Sequence, residues 1–115
     1  MKKYLPRIVD DEVENKLSYM GALLIEGCKW CGKSTTAKKH AKSVIEFQNP
    51  DKKNDYDFIR NTKPSLFLEG DKPRLFDEWQ MYPVVWDSIR TDVDNTGLKG
   101  QYILTGSAKP GEGET

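Results

Sequence analysis

Residues Gly27-Cys28-Lys29-Trp30-Cys31-Gly32-Lys33-Ser34 satisfy the spacing G-x-x-x-x-G-K-[ST] without a mismatch. The chemistry of that spacing is phosphate capture. A loop bounded by glycines turns tightly enough for successive backbone N–H groups to point inward around a nucleotide's phosphates. The lysine reaches the β and γ oxygens, and the hydroxyl joins a Mg²⁺ shell. Thr35, next in the chain, either approaches the α-phosphate or is a plain first-turn threonine.

A second constellation lies downstream, where Arg74-Leu75-Phe76-Asp77-Glu78 reads as a short buried strand that ends in two carboxylates. This is the layout of a Walker B strand. Asp77 can hold a water of the Mg²⁺ shell while Ser34 supplies the protein oxygen. Glu78 falls where it can orient or deprotonate a water attacking the γ-phosphate. That adjacency favours a hydrolase over a P-loop kinase, whose nucleophile is a substrate hydroxyl. The plainer alternative is an Asp-Glu turn at a strand end. Further on, Thr105 or Ser107 is a candidate to hydrogen-bond the γ-phosphate or the attacking water, or else caps a turn.

The elements that must hold these groups are legible. Ala22 to Ile25 is the longest apolar run, and a strand is expected over Leu23 to Glu26, followed by the phosphate loop and a helix over Lys33 to Lys42. That order puts a helix N-terminus, with its partial positive charge, at the phosphates. Asp10 to Tyr19 reads as a polar helix with Val13 and Leu17 as its apolar stripe. A second strand is expected at Val44 to Phe47, and a solvated helix or loop over Asp51 to Lys63 anchored by Tyr56 and Ile59. A short helix is expected over Pro64 to Gly70. Pro83 opens a helix to about Asp94 with Val85, Ile89 and Val93 on one face, and Gly97 ends it. The last strand, Gln101 to Leu104, runs into Thr105-Gly106-Ser107.

Strands alternating with helices imply an α/β parallel sheet with right-handed crossovers. Ligands of such sheets bind at the carboxyl ends of the strands, where all three polar motifs fall. The expected domain comprises a helical lead-in over 1–20, a nucleotide-binding core over 21–108 and a flexible tail over 109–115.

Bulk properties narrow the function classes. The chain has 115 residues, 18 basic and 18 acidic side chains and a formal net charge of zero. Its mean hydropathy is −0.73. One domain with a small core fits, and no global charge favours nucleic acid or an anionic membrane. No run is long enough to span a bilayer. Two cysteines within a phosphate loop fit a reducing, cytoplasmic compartment.

Cys28-Lys29-Trp30-Cys31 is also a CxxC, but two cysteines cannot close a structural zinc site. Two inert thiols are the simpler expectation. The sharper one is a redox brake: Cys31, at a helix N-terminus beside Lys29 and Lys33, has the setting that lowers a thiol pKa, and a Cys28–Cys31 bond would distort the loop. Trp79 and Trp86 are expected to pack the helix after the second constellation, Trp30 to cover nucleotide or a partner, and His40 to be solvated in mid-helix.

With Gly27 to Lys33, Leu75-Phe76-Asp77-Glu78-Trp79-Gln80 and Ile103-Leu104-Thr105-Gly106-Ser107-Ala108 in place, nearly the whole chain resembles a known group. This is the N-terminal AAA-type ATPase domain of prokaryotic ATP-binding proteins that carry a C-terminal domain of unknown function. Leu5-Pro6-Arg7 also fits. The resemblance implies a P-loop NTPase three-layer sandwich with sheet order 5-1-4-3-2, ATP and Mg²⁺ as cofactors, and ATP hydrolysis. By position it makes Gly27, Cys28, Lys29, Trp30, Cys31, Gly32, Lys33, Ser34 and Thr35 the nucleotide-binding residues. Ser34 and Asp77 become the metal residues, Glu78 the base and Thr105 the sensor. Cys28 stands where the group tends to have proline.

Proteins of this group continue past the last strand, so the resemblance implies a truncated chain, with order 1-4-3-2, the fifth strand missing and the first strand left as a bare edge. Its implied partners are the absent C-terminal domain and further copies of itself. No arginine here fits the role of an arginine finger, which implies weak hydrolysis by this chain alone. A nucleotide-sensing interaction module is the alternative from another class, and a small-molecule kinase is the third.

Overall fold

The computed structural model describes residues 13–27 and 33–107. Its strands are β1 (Ala22–Gly27), β2 (Ser43–Glu46), β3 (Arg74–Asp77) and β4 (Tyr102–Ser107), and its helices are α1 (Lys33–His40), α2 (Lys53–Thr62) and α3 (Val84–Thr96). Residues 13–17 are helical, within the expected Asp10 to Tyr19 segment. All strand pairs are parallel and the order is β1-β4-β3-β2. This is the expected α/β sandwich with the expected order, and it makes β1 and β2 the outer strands among the described residues.

The period of two along each strand divides the interior into two layers. Leu75 and Ile103 point to one face, where they meet Ala37 of α1 together with Leu17, Ile25 and Ala41. Phe76, Tyr102 and Leu104 point to the other, into a larger core with Ile45, Phe47, Phe67, Leu68, Tyr82, Val85 and Ile89. Val93 packs at its margin, so the apolar face expected for α3 is the buried one.

Aromatic rings dominate the larger core. Phe47 has the rings of Tyr56, Phe67, Phe76 and Tyr82 with centroids at 5.4, 5.2, 6.0 and 4.9 Å. The pairs with Tyr56 and Phe67 are edge-to-face and that with Phe76 is stacked, geometries that add to area burial. Two tyrosines carry their hydroxyls to carboxylates at the rim: Tyr82 donates to Asp57 Oδ1 at 2.7 Å, and Tyr102 to Asp92 Oδ2 at 2.6 Å. Each bond ties a helix to the core, α2 through Asp57 and α3 through Asp92.

Several element ends differ from the sequence expectations. β1 gains Ala22 and Gly27 beyond the expected Leu23 to Glu26, because its ladder with β4 runs over six register pairs. The helix after the phosphate loop ends at His40, not Lys42, because Lys42 N–H leaves the helix to donate to Pro73 O at 2.7 Å. His40 is therefore the last helical residue, and it is half-buried rather than solvated in mid-helix. β2 consequently begins at Ser43, opposite Arg74, and regular pairing stops at Glu46.

The Pro64 to Gly70 segment is a 3₁₀ helix over Pro64–Leu68, not an α-helix. Its carbonyls are taken by side chains: Arg74 Nε donates to Phe67 O at 2.7 Å and Lys72 Nζ to Leu68 O at 2.8 Å. Terminal carbonyls satisfied in this way need no further helical turn. α3 begins one residue after Pro83 and runs to Thr96 rather than Asp94. Gly97 closes it as expected, in the left-handed conformation (φ 68°) with its N–H on Val93 O. β4 starts at Tyr102 instead of Gln101 and continues to Ser107, so Thr105, Gly106 and Ser107 belong to the strand rather than following it.

The Tyr82–Asp57 bond has a pH signature. The Tyr82 hydroxyl, then the Lys53 ammonium, hold the Asp57 carboxyl below its ordinary value. Burial, reinforced by Asp57, pushes the Tyr82 hydroxyl up to about 12. A carboxyl depressed in the folded state contributes stability that is present above its unfolded pKa and is lost as pH falls through the folded value. Tyr82→Phe removes the hydroxyl that contributes most to this depression. In denaturant titrations across the acid range, the variant is expected to lose less stability than the parent as pH falls below about 5. An identical slope in both proteins contradicts the assignment.

Candidate functional site at the carboxyl ends of the strands

Parallel register brings the polar ends of three strands together. Asp77 of β3 lies opposite Thr105 of β4, and Gly27 of β1 lies opposite Ser107. Asp77 shares strand parity with Leu75, and Thr105 with Ile103, so both project to the face covered by α1. That helix begins at Lys33, the position where the phosphate-loop spacing requires a helix to start. Cys28, Lys29, Trp30, Cys31 and Gly32 lie outside the described residues. So do the CxxC redox expectation and the side chains of Lys33, Ser34 and Ser107. Thr35 is exposed on α1, while Thr36 beside it is buried.

The two carboxylates are close to fully buried, Asp77 at 3% and Glu78 at 5% exposure, with Thr105 at 0%. Burying a carboxylate is costly unless hydrogen bonds compensate it. Thr105 Oγ1 donates to Asp77 Oδ1 at 2.5 Å and accepts from the Glu78 backbone N–H at 3.3 Å. A hydroxyl has one proton and two lone pairs, so this threonine spends its proton on Asp77 and one acceptor site on Glu78. The sequence suggested Thr105 as a contact to phosphate or water; in this arrangement its proton is directed at Asp77.

Glu78 leaves the strand abruptly. Its backbone is left-handed (φ 61°, ψ 55°), and it is the one non-glycine residue with positive φ among those described. Such conformations cost of order 1–3 kcal/mol and cluster at functional sites. The chain then forms the short 3₁₀ helix Trp79–Met81. Trp79 and Trp86 meet with ring centroids 5.2 Å apart, so the pair packs the start of α3 as expected.

At the outer strand, Lys38 of α1 pairs with Glu46 of β2 at 2.6 Å, and this bond raises the lysine pKa. The pair is half-exposed and pins α1 across the sheet end more by geometry than by energy.

Sequence reasoning assigned no role to Gln80 beyond its place in the DEWQ run. Its Nε2 donates to Glu78 Oε1 at 2.6 Å. Residues two apart share a face only while a strand continues, and here the strand ends at Asp77, so this contact depends on the left-handed turn at Glu78. No helix among the described residues is long and apolar enough to cross a membrane.

A family model described as AAA domain matches residues 20–112. No curated protein and no solved structure matches this chain.

Replacing Thr105 tests the bond that joins β4 to both acidic residues. Thr105→Val keeps the shape, removes the hydroxyl from Asp77 and leaves the Glu78 N–H without that acceptor. Chemical denaturation is expected to show a loss of about 1–3 kcal/mol, most of which Thr105→Ser avoids because it keeps the hydroxyl. Equal stability of Thr105→Val and the parent contradicts the bond's structural weight.

Proposed function

This chain belongs to the AAA domain family, and on that premise we propose that it binds ATP with Mg²⁺ and hydrolyses it at the carboxyl edge of its parallel sheet. The observation that carries the proposal is the pair of buried acidic residues at the end of β3, joined through Thr105 to β4. It faces the helix that follows a complete phosphate-loop sequence.

Each residue has a role that its type and position support. Gly27 and Gly32 bound the loop whose N–H groups, from Cys28 through Lys33, cradle the phosphates. Lys33 neutralises the β and γ oxygens, and Thr35 lies near the α-phosphate. Ser34 and the Asp77 carboxylate are the protein's hard oxygen donors for Mg²⁺. Among the described residues, no three His, Cys, Asp or Glu side chains converge as a metal cage. Mg²⁺ keeps several waters and shares phosphate oxygens, so one or two protein donors suffice to hold it. When bound, Mg²⁺ supplies charge neutralisation at the phosphates.

Glu78 then orients and deprotonates the attacking water. Its burial keeps the carboxylate out of bulk solvent, and its left-handed backbone turns it out of the direction that strand alternation would impose. Thr105 acts here as a positioning residue, holding Asp77 directly and Glu78 through its backbone. A general base contributes typically 10²–10⁴-fold.

Glu78→Gln keeps the size of the side chain and removes its basicity. Phosphate release from ATP is expected to fall by about 10²- to 10⁴-fold, while ATP affinity measured by calorimetry stays close to that of the parent. Turnover unchanged by Glu78→Gln contradicts hydrolysis at this site and favours a nucleotide-sensing module.

A further inference from the structure

We infer that Gln80 is a positioning residue for Glu78, its carboxamide lying with Trp79 over the bare backbone of Gly106; this rests on Glu78 being the base. The contact that defines the role is the 2.6 Å bond from Gln80 Nε2 to Glu78 Oε1. Glu78 sits in a left-handed conformation, so strand alternation does not set the direction of its side chain. A carboxamide donor on one carboxylate oxygen restrains that side chain directly.

The carboxamide is itself held. A Cβ placed on Gly106 would come 3.0 Å from Gln80 Oε1 and 3.1 Å from Trp79 Nε1. Both polar atoms therefore lie flat against the β4 backbone at the one place where the strand has no side chain. Gln80 Oε1 and Trp79 Nε1 are also buried, and neither has a hydrogen-bond partner among the described residues. An orphaned acceptor and an orphaned donor cost of order 1–3 kcal/mol each when nothing compensates them. Packing that tolerates this cost is consistent with a site organised around Glu78 rather than around local stability. The Trp79 ring packs against the larger core and meets Trp86 of α3 in a tilted pair, which ties the arrangement to the sheet.

Two groups thus hydrogen-bond Glu78 from different elements, the Thr105 hydroxyl of β4 on its N–H and the Gln80 amide of the short 3₁₀ helix on its carboxylate, and the β4 backbone at Gly106 lies against that amide. A positional error of about 1 Å in a catalytic group costs on the order of a hundredfold in rate. Losing the amide restraint is expected to act on turnover and not on nucleotide affinity.

The test is a double-mutant cycle on the full chain. Gln80→Met keeps the volume and removes the donor; it is expected to lower ATP turnover by about tenfold to a hundredfold with calorimetric ATP affinity unchanged. In a Glu78→Gln background the same change is expected to cost nothing further. Gly106→Ala, which presses a methyl group against the carboxamide, is expected to reproduce the loss. An equal loss from Gln80→Met in both backgrounds overturns the inference, because a merely structural role acts regardless of Glu78.

A second measurement is independent of turnover. The side-chain amide proton resonances of Gln80, assigned by their disappearance in Gln80→Met, are expected to shift on Glu78→Met. Unchanged resonances overturn the inference. A parent protein without turnover contradicts the hydrolysis proposal alone, and the amide resonance then decides for Gln80.

Discussion

The pairing of Asp77 with Thr105 is the constraint on which the carboxyl edge depends. It is a register fact before it is a chemical one: β3 and β4 are parallel, and their pairing brings these residues opposite each other. A slip of one residue would turn every side chain of β3 to the other face, exchanging Leu75 and Asp77 for Phe76. The apolar residues prevent that slip. Leu75 and Phe76 are both buried on opposite sides of the sheet, against α1 and against the aromatic layer, and neither fits the other's place. Core packing therefore fixes the register, the register fixes Asp77 against Thr105, and the threonine hydroxyl then joins Asp77 to Glu78.

Beneath the sheet the aromatic layer has a second role. Phe47 follows β2 and still donates its N–H to Asp77 O at 3.2 Å. Its ring lies among those of Tyr56, Phe67, Phe76 and Tyr82. The backbone of the site is thus joined to the densest part of the core. A polar edge of this kind needs such rigidity, since the groups at the ends of β3 and β4 act only if their spacing is held. Tyr82–Asp57 and Tyr102–Asp92 extend the same core to α2 and α3, which otherwise carry many solvated charges.

Much of this was legible in the sequence, for identifiable reasons. The phosphate-loop spacing announced α1, the adjacent apolar Leu75 and Phe76 announced a strand buried on both faces, and Gly97 marked the end of α3 by a left-handed conformation that is cheap for glycine alone. The strand order followed from resemblance and agrees with the fold. What failed was set by distant partners. The segment Pro64–Leu68 tightens to 3₁₀ because Arg74 and Lys72, several residues later, take its carbonyls. Lys42 leaves its helix for a carbonyl at Pro73. The bond of the Glu78 N–H to Thr105 and the Gln80 amide contact were invisible because each involves the left-handed turn at Glu78, which no local propensity of glutamate favours, while the Thr105–Asp77 bond follows from a register that only the folded sheet reveals.

The central claim, that this edge holds a magnesium-bound triphosphate, is tested most directly by calorimetric titration of the protein with ATP in the presence and absence of Mg²⁺. The account predicts saturable one-site binding that weakens when Mg²⁺ is chelated and is lost in Lys33→Ala. Absence of binding by the folded parent, or binding indifferent to both Mg²⁺ and Lys33, would contradict it.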